Sequence, residues 1–276
     1  MPSIGQIFGA IFAVLFVLFA GGIIWLDSLF EESRGQWVSS VAEEVGASSV
    51  LAIFAHPDDE QSVAGLLIRA RERSGATTRM ITATRGEAGS PMPQVSRMEE
   101  LAIIRHAEVL KNGYALGISE QLVWEYPDGA LAEEDFELYV DRLMQQMIAW
   151  QADLIVTFWP DSGYSNHPDH RTAGRAATEA VRRLRETDRE NAPSAIAYIL
   201  APSRMMSRFG GETGRTVVEN QPPPTHQMPG EPRAKIRGWS IHASQSDYLR
   251  QTYGIPPAIL YRLYDKEHYY LVEFDD

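Results

Sequence analysis

From Ile7 to Leu26 the chain runs without a charged side chain, and Ile, Leu, Val and Phe dominate. As a helix rising about 1.5 Å per residue it is about 30 Å long, the depth of a bilayer's hydrocarbon core. Residues 1–6 carry no Lys or Arg and no Ala-x-Ala follows, so the pattern predicts an uncleaved anchor rather than a signal peptide. Trp25 sits where an interfacial aromatic belongs. Residues 27–47 are polar and mixed, as in a linker or surface helix.

Beyond this the pattern alternates. Short apolar or β-branched runs at 50–55, 77–84, 122–126, 154–159, 195–200 and 269–274 read as strands. Helical spacing covers 60–74, closed by Gly75, and 101–110, closed by Asn112-Gly113. It returns over 136–150 and 170–186, where Ala173, Ala176, Ala177, Ala180, Val181 and Leu184 share one face. Strand and helix in alternation predict an α/β domain with a mainly parallel sheet. Residues 202–238 break the rhythm with Gly210-Gly211, Pro222-Pro223-Pro224, Pro229-Gly230 and Pro232. They are expected to form an irregular excursion, a lid or membrane-facing loop. The division expected is therefore an anchor over 1–27, a juxtamembrane linker over 28–47 and one α/β domain over 48–276.

Composition narrows the chemistry. With 276 residues and 44% apolar content the chain can bury one sizeable core. A net charge of -12 offers no basic stripe, so no nucleic-acid partner is expected. There is no cysteine, which excludes disulfides and thiolate metal sites.

Two loops carry the candidate chemistry. Strand 50–55 ends at His56-Pro57-Asp58-Asp59-Glu60, and strand 154–159 leads into His167-Pro168-Asp169-His170. Imidazoles and carboxylates at the end of a buried strand are costly unless they bind something. Neighbouring parallel strands deliver their carboxyl ends to one crevice, so the two loops together predict a divalent-metal site. No Gly-x-Gly-x-x-Gly follows the first strand, and its acids would repel a dinucleotide's phosphates.

The two motifs, in this order, resemble those of the PIG-L/LmbE-like zinc-dependent de-N-acetylases, with the resemblance covering roughly residues 48–250. It implies a Rossmann-like sheet flanked by helices, and it assigns His56, Asp59 and His170 as ligands of Zn²⁺. Two histidines and one carboxylate suit Fe²⁺ as well. Asp58 is similar to the family's general base, although an acid after proline also caps helices. His167 resembles the electrostatic catalyst, its imidazole held and its pKa raised by Asp169; alternatively Asp169 orients a ligating imidazole. Arg85, Glu87, Arg97 and Asp128 match places where the family contacts sugar or aglycone. His242 and Gln245 match a segment that closes the pocket, with Lys235 before it. Glu60 is read as a first-turn acid, and His106, His226 and His268 as structural.

The resemblance implies a hydrolase that removes the acetyl group from an N-acetylglucosamine-type substrate. The expected anchor makes it a single-pass membrane protein and points to a lipid-linked or membrane-proximal substrate, although it could equally localise an enzyme with a soluble one. Arg34, beside the anchor, favours a cytoplasmic catalytic domain. Rival readings are hydrolysis of another N-acyl group and a non-catalytic, membrane-tethered binding module of the same fold.

Overall fold

A computed structural model describes residues 3–274, apart from the side chain of Tyr253. The strands are β1 (Gln36–Trp37), β2 (Ser49–Phe54), β3 (Thr77–Thr84), β4 (Glu120–Tyr126), β5 (Leu154–Phe158), β6 (Ala195–Leu200), β7 (His226–Pro229) and β8 (Lys266–Glu273). The helices are α1 (Ile4–Ser28), α2 (Val41–Glu44), α3 (Ala64–Ser74), α4 (Leu101–Leu116), α5 (Phe136–Ala149), α6 (Gly163–Asn166) and α7 (Pro168–Thr187). They continue with α8 (Ser203–Phe209), α9 (Gly211–Glu219), α10 (Pro232–Ile241), α11 (Tyr248–Tyr253) and α12 (Pro257–Leu263).

All eight strands form one sheet in the order β1-β7-β8-β6-β5-β2-β3-β4. From β6 to β4 every pairing is parallel, while β8 runs antiparallel to both β6 and β7. The expected mainly parallel sheet is thus present, with an antiparallel strand inserted near one edge. β2, β5 and β6 are buried along their whole length, which explains their nearly continuous apolar runs. Alternate residues of β2 serve opposite cores: Val50, Ala52 and Phe54 pack towards α3, and Leu51 and Ile53 towards α5 and α7. After β2 the chain moves outward through β3 and β4, then returns to the other side of β2 as β5. The switch point therefore lies between the carboxyl ends of β2 and β5, where ligands bind in open α/β sheets. Both motifs leave from there.

Three expectations need correction. Residues 29–47 are not a free linker: Leu29, Phe30, Val38, Val41 and Ala42 are buried and β1 joins the sheet beside β7. Residues 202–238 are not irregular, because they form α8, α9, β7 and most of α10. Their prolines and glycines mark joints instead, with Pro202 before α8, Gly210 between α8 and α9, and Pro232 at the start of α10. Finally, α4 runs through Asn112-Gly113 to Leu116. Asn112 is buried there and bonded to Glu60, and Gly117 at φ 81° ends the helix instead.

A third apolar cluster joins Leu29 and Phe30, just after α1, to Met205, Met206, Trp239, Leu260, Tyr261 and Tyr264. Helix α1 itself has no buried residue, and it is long and apolar enough to cross a membrane.

Candidate metal and catalytic site

The loop after β2 turns sharply at Asp58, which holds φ 92° in the left-handed region. For a residue with a Cβ this conformation costs about 1–3 kcal/mol and persists only where the surroundings enforce it. The second loop is ordered by helix α7, with Pro168 at its first position and His167 as its N-cap. Gly174 lets α7 lie against β5, since a Cβ there would meet the Phe158 carbonyl at 2.4 Å. One turn earlier, the His170 ring stacks on Phe158 at 4.3 Å.

The expected ligand atoms converge. His56 Nδ1 lies 3.0 Å from His170 Nε2, His170 Nε2 3.1 Å from Asp59 Oδ1, and His56 Nδ1 3.7 Å from Asp59 Oδ2. The opposite ring nitrogens set the tautomers. His56 Nε2 faces Asp128 Oδ1 at 3.0 Å and Asp169 Oδ2 at 3.2 Å, so it carries a proton and leaves Nδ1 as a lone pair. His170 Nδ1 faces the Gly163 carbonyl at 3.0 Å, which frees Nε2. Two lone pairs and a carboxylate so close together require positive charge between them. The electrostatics show the same demand for positive charge, here met by a second proton on His56. Burial pulls the His56 imidazolium down, but hydrogen bonds to Asp128 and Asp169 and the charges of Asp59 and Asp128 overcome it and raise His56 to about 10. Burial likewise raises Asp59, yet the charge and hydrogen bond of His170, together with His56, hold it at about 2. The donor set, two imidazole nitrogens and a carboxylate, fits a divalent cation.

Of the two arrangements open for Asp169, its side chain takes the second, beside His56. Its fully buried carboxylate accepts from Gly129 N at 2.8 Å and Leu131 N at 3.1 Å, and it faces His56 rather than His167. What His167 receives is the Asp169 backbone N–H, donated to Nδ1 at 3.2 Å. Nor is His167 raised: burial and the charges of His56 and His170 lower it, outweighing Asp169. Asp169→Ala should therefore weaken metal binding roughly 10–100-fold, because the support of His56 is lost. Competition with a chelating dye would measure this, and an unaltered affinity would refute the link.

Asp58 precedes the short helical turn at 59–63, but its side chain makes no capping hydrogen bond there. Burial raises it to about 6, the Arg105 charge opposing and Asp59 assisting. Arg105 Nη2 lies 3.0 Å from Asp58 Oδ2 and also donates to the Pro57 carbonyl at 2.6 Å. Arg105 went unrecognised in the sequence, and a signal existed. At helical spacing from Leu101 stand Arg105, Glu108 and Asn112, polar groups on the inward face of α4, and all are buried. A buried polar stripe is the informative exception in an amphipathic helix.

His56, Asp58, Asp59, Arg105, His167 and His170 line a cavity of about 400 Å³. Asp128 and Gln245, two of the expected contact residues, border it, and Gln245 Nε2 donates to the Ser90 carbonyl at 3.0 Å. The others do not. Arg85 pairs with Glu125, and Arg97 is exposed and pairs with Glu100. Glu87 accepts from Asp128 N at 3.0 Å and so shapes the turn. His242 is fully buried, 2.5 Å from Glu60. Lys235 is buried against Glu267 at 2.7 Å. None of His106, His226 and His268 lines the cavity.

An open α/β sheet with a His–carboxylate cluster at its switch point defines an α/β protein with a candidate metal centre. A family model described as PIG-L, GlcNAc-PI de-N-acetylase, matches residues 51–181. A probable N-acetyl-alpha-D-glucosaminyl L-malate deacetylase 2 of Bacillus anthracis is 32% identical over 202 residues, 71% of this chain and 80% of that protein. The chain thus belongs to the PIG-L family. A 1D-myo-inositol 2-acetamido-2-deoxy-alpha-D-glucopyranoside deacetylase of Corynebacterium urealyticum is 30% identical over 192 residues, 59% of this chain. The chain spans 56% of that relative's length and 64% of a related Bacillus cereus deacetylase. Among solved structures, an N,N'-diacetylchitobiose deacetylase from Pyrococcus horikoshii superposes with TM-score 0.62 at 21% identity, over 82% of this chain and 84% of that one. A 4-carboxy-2-hydroxymuconate hydratase from Pseudomonas putida gives 0.61 at 15% identity, over 83% and 98%. One fold thus carries different reactions, and only the site decides between them.

Proposed function

We propose that this chain is a divalent-metal-dependent N-deacetylase acting on an N-acetylglucosamine-type substrate linked to a lipid. The observation that carries the reading is the convergence of His56 Nδ1, Asp59 and His170 Nε2 beside Asp58 and His167 on the wall of one cavity. The deacetylase names of the relatives support it. His56, Asp59 and His170 would hold the metal, with zinc the first choice and iron(II) the alternative for the same donors. When bound, such an ion supplies Lewis acidity for water and for an amide carbonyl.

The chain's residues do the rest. Asp58 takes a proton from water as its oxygen bonds to the acetyl carbon. His167, with Nδ1 engaged by the Asp169 N–H, carries its proton on Nε2 and donates it as a hydrogen bond to the oxyanion formed at the carbonyl. The C–N bond then breaks and Asp58 returns the proton to the amine, leaving acetate and a free amino sugar. Neutral donation by His167 accords with its lowered pKa.

Phe30, Met205, Met206, Leu260, Tyr261 and Tyr264 give the same cavity an apolar lining, and Phe30 follows α1 by two residues. Such a lining suits the apolar part of a lipid-linked substrate. Residues up to 28 are proposed as a single-pass anchor and the remainder as one catalytic domain. Arg204, bonded to the Ser28 carbonyl at 3.2 Å, and Arg208, over the Trp25 ring at 5.3 Å, join Arg34 at this end of α1. Positive charge here favours the cytoplasmic side.

The test is acetate release by the full chain in detergent micelles, from N-acetylglucosaminyl-phosphatidylinositol and from soluble N-acetylglucosaminyl-inositol. Turnover should vanish with a chelator and return with Zn²⁺, and KM should be at least about tenfold lower for the lipid form, since each buried methylene contributes about 0.8 kcal/mol. Equal KM values would remove the lipid from the proposal; no metal-dependent release from any N-acetyl sugar would remove the deacetylase.

A further inference from the structure

The base is held from behind. Glu60 is fully buried directly after the metal loop, and it does more than begin a helix. Its Oε2 accepts the backbone N–H of Asp58 at 3.0 Å, the residue whose φ of 92° is strained. Its Oε1 accepts from Asn112 Nδ2 at 2.6 Å, on the inward face of α4, and from His242 Nε2 at 2.5 Å. His242 is also fully buried, and its Nδ1 has no hydrogen-bond partner, so the Glu60 contact is what its polar edge is there to make. The same stretch is pinned elsewhere. Ser244 donates from N and Oγ to Glu108 of α4 at 2.8 and 2.6 Å, and its carbonyl accepts from Met92 N at 2.6 Å. Gln245 holds the Ser90 carbonyl of the loop whose Ala88 and Gly89 border the cavity.

We infer that Glu60 and His242 are positioning residues that hold the Asp58 backbone in its left-handed turn, so that the carboxylate meets Arg105 and the substrate water at a set distance. This rests on the reading of Asp58 as the base. A buried carboxylate with one neutral amide donor on each oxygen would leave its charge poorly compensated; the imidazole adds a stronger donor on Oε1. The arrangement also ties residues 242–245, which end the α10 arm of the cavity, to the catalytic loop after β2. Neither residue borders the cavity, so the effect passes through Asp58.

The experiment compares wild type, Glu60→Gln, His242→Leu and His242→Gln for kcat, KM, bound zinc per chain and Tm. His242→Leu removes the donor and should lower kcat about 10–100-fold with KM and zinc content near wild type. His242→Gln restores an N–H and should recover most of kcat, a rescue that a merely structural residue would not show. Should His242→Leu fail to fold, Glu60→Gln carries the test through the same kcat–KM split. Wild-type kcat in both folded variants, or a loss that follows zinc content, overturns the positioning role alone. Absence of turnover in the wild type overturns the deacetylase reading and this inference with it.

Discussion

Asp58→Asn is expected to cut kcat for acetate release by about 10²–10⁴-fold while bound metal stays at wild-type stoichiometry. The substitution keeps the shape and the oxygen that faces Arg105 but removes the basic lone pair. The proposed ligand atoms belong to His56, Asp59 and His170, and none depends on the Asp58 side chain for its tautomer. KM should move little, because the step lost is proton transfer and not binding. Acetate release and metal analysis on one preparation separate the outcomes. A large loss of both would make Asp58 a ligand, and no loss of turnover would move the base elsewhere.

Replacing His170 by Ala should abolish both metal retention and turnover. Only two of the three proposed protein ligands remain, and a catalytic zinc site ordinarily keeps three. The variant also forfeits the ring stacked on Phe158 at 4.3 Å, so stability must be read separately. Wild type loaded with zinc at a thousandfold its Kd should gain about 4 kcal/mol over the chelated form, visible as a rise in Tm. His170→Ala should show no such rise. Retained zinc-induced stabilisation would place the cation on other groups, such as His56, Asp128 and Asp169, whose donor atoms also cluster.

Much of the fold was legible in the chain because its central strands are buried on both faces. β2, β5 and β6 read as nearly continuous apolar runs, and the helices between them keep a clear inner stripe. Where the elements are short the same reading failed. Residues 202–238 looked irregular since each of α8, α9 and β7 is too brief to show a period, and their bounding prolines and glycines dominated. Residues 29–47 hid their burial among polar neighbours, and β1 is only two residues long.

For the site, sequence alone determined the His-Pro-Asp loops, hence the donor types and the exclusion of thiolate, because motif spacing and strand termini are local properties. Tertiary structure decided which ring nitrogen is free, that Asp169 faces His56 and not His167, and that Arg105, Asn112 and His242 stand behind Asp58 and its loop. Those assignments depend on which distant side chain fills each hydrogen bond, and no one-dimensional pattern encodes a partner that packing alone brings within 3 Å.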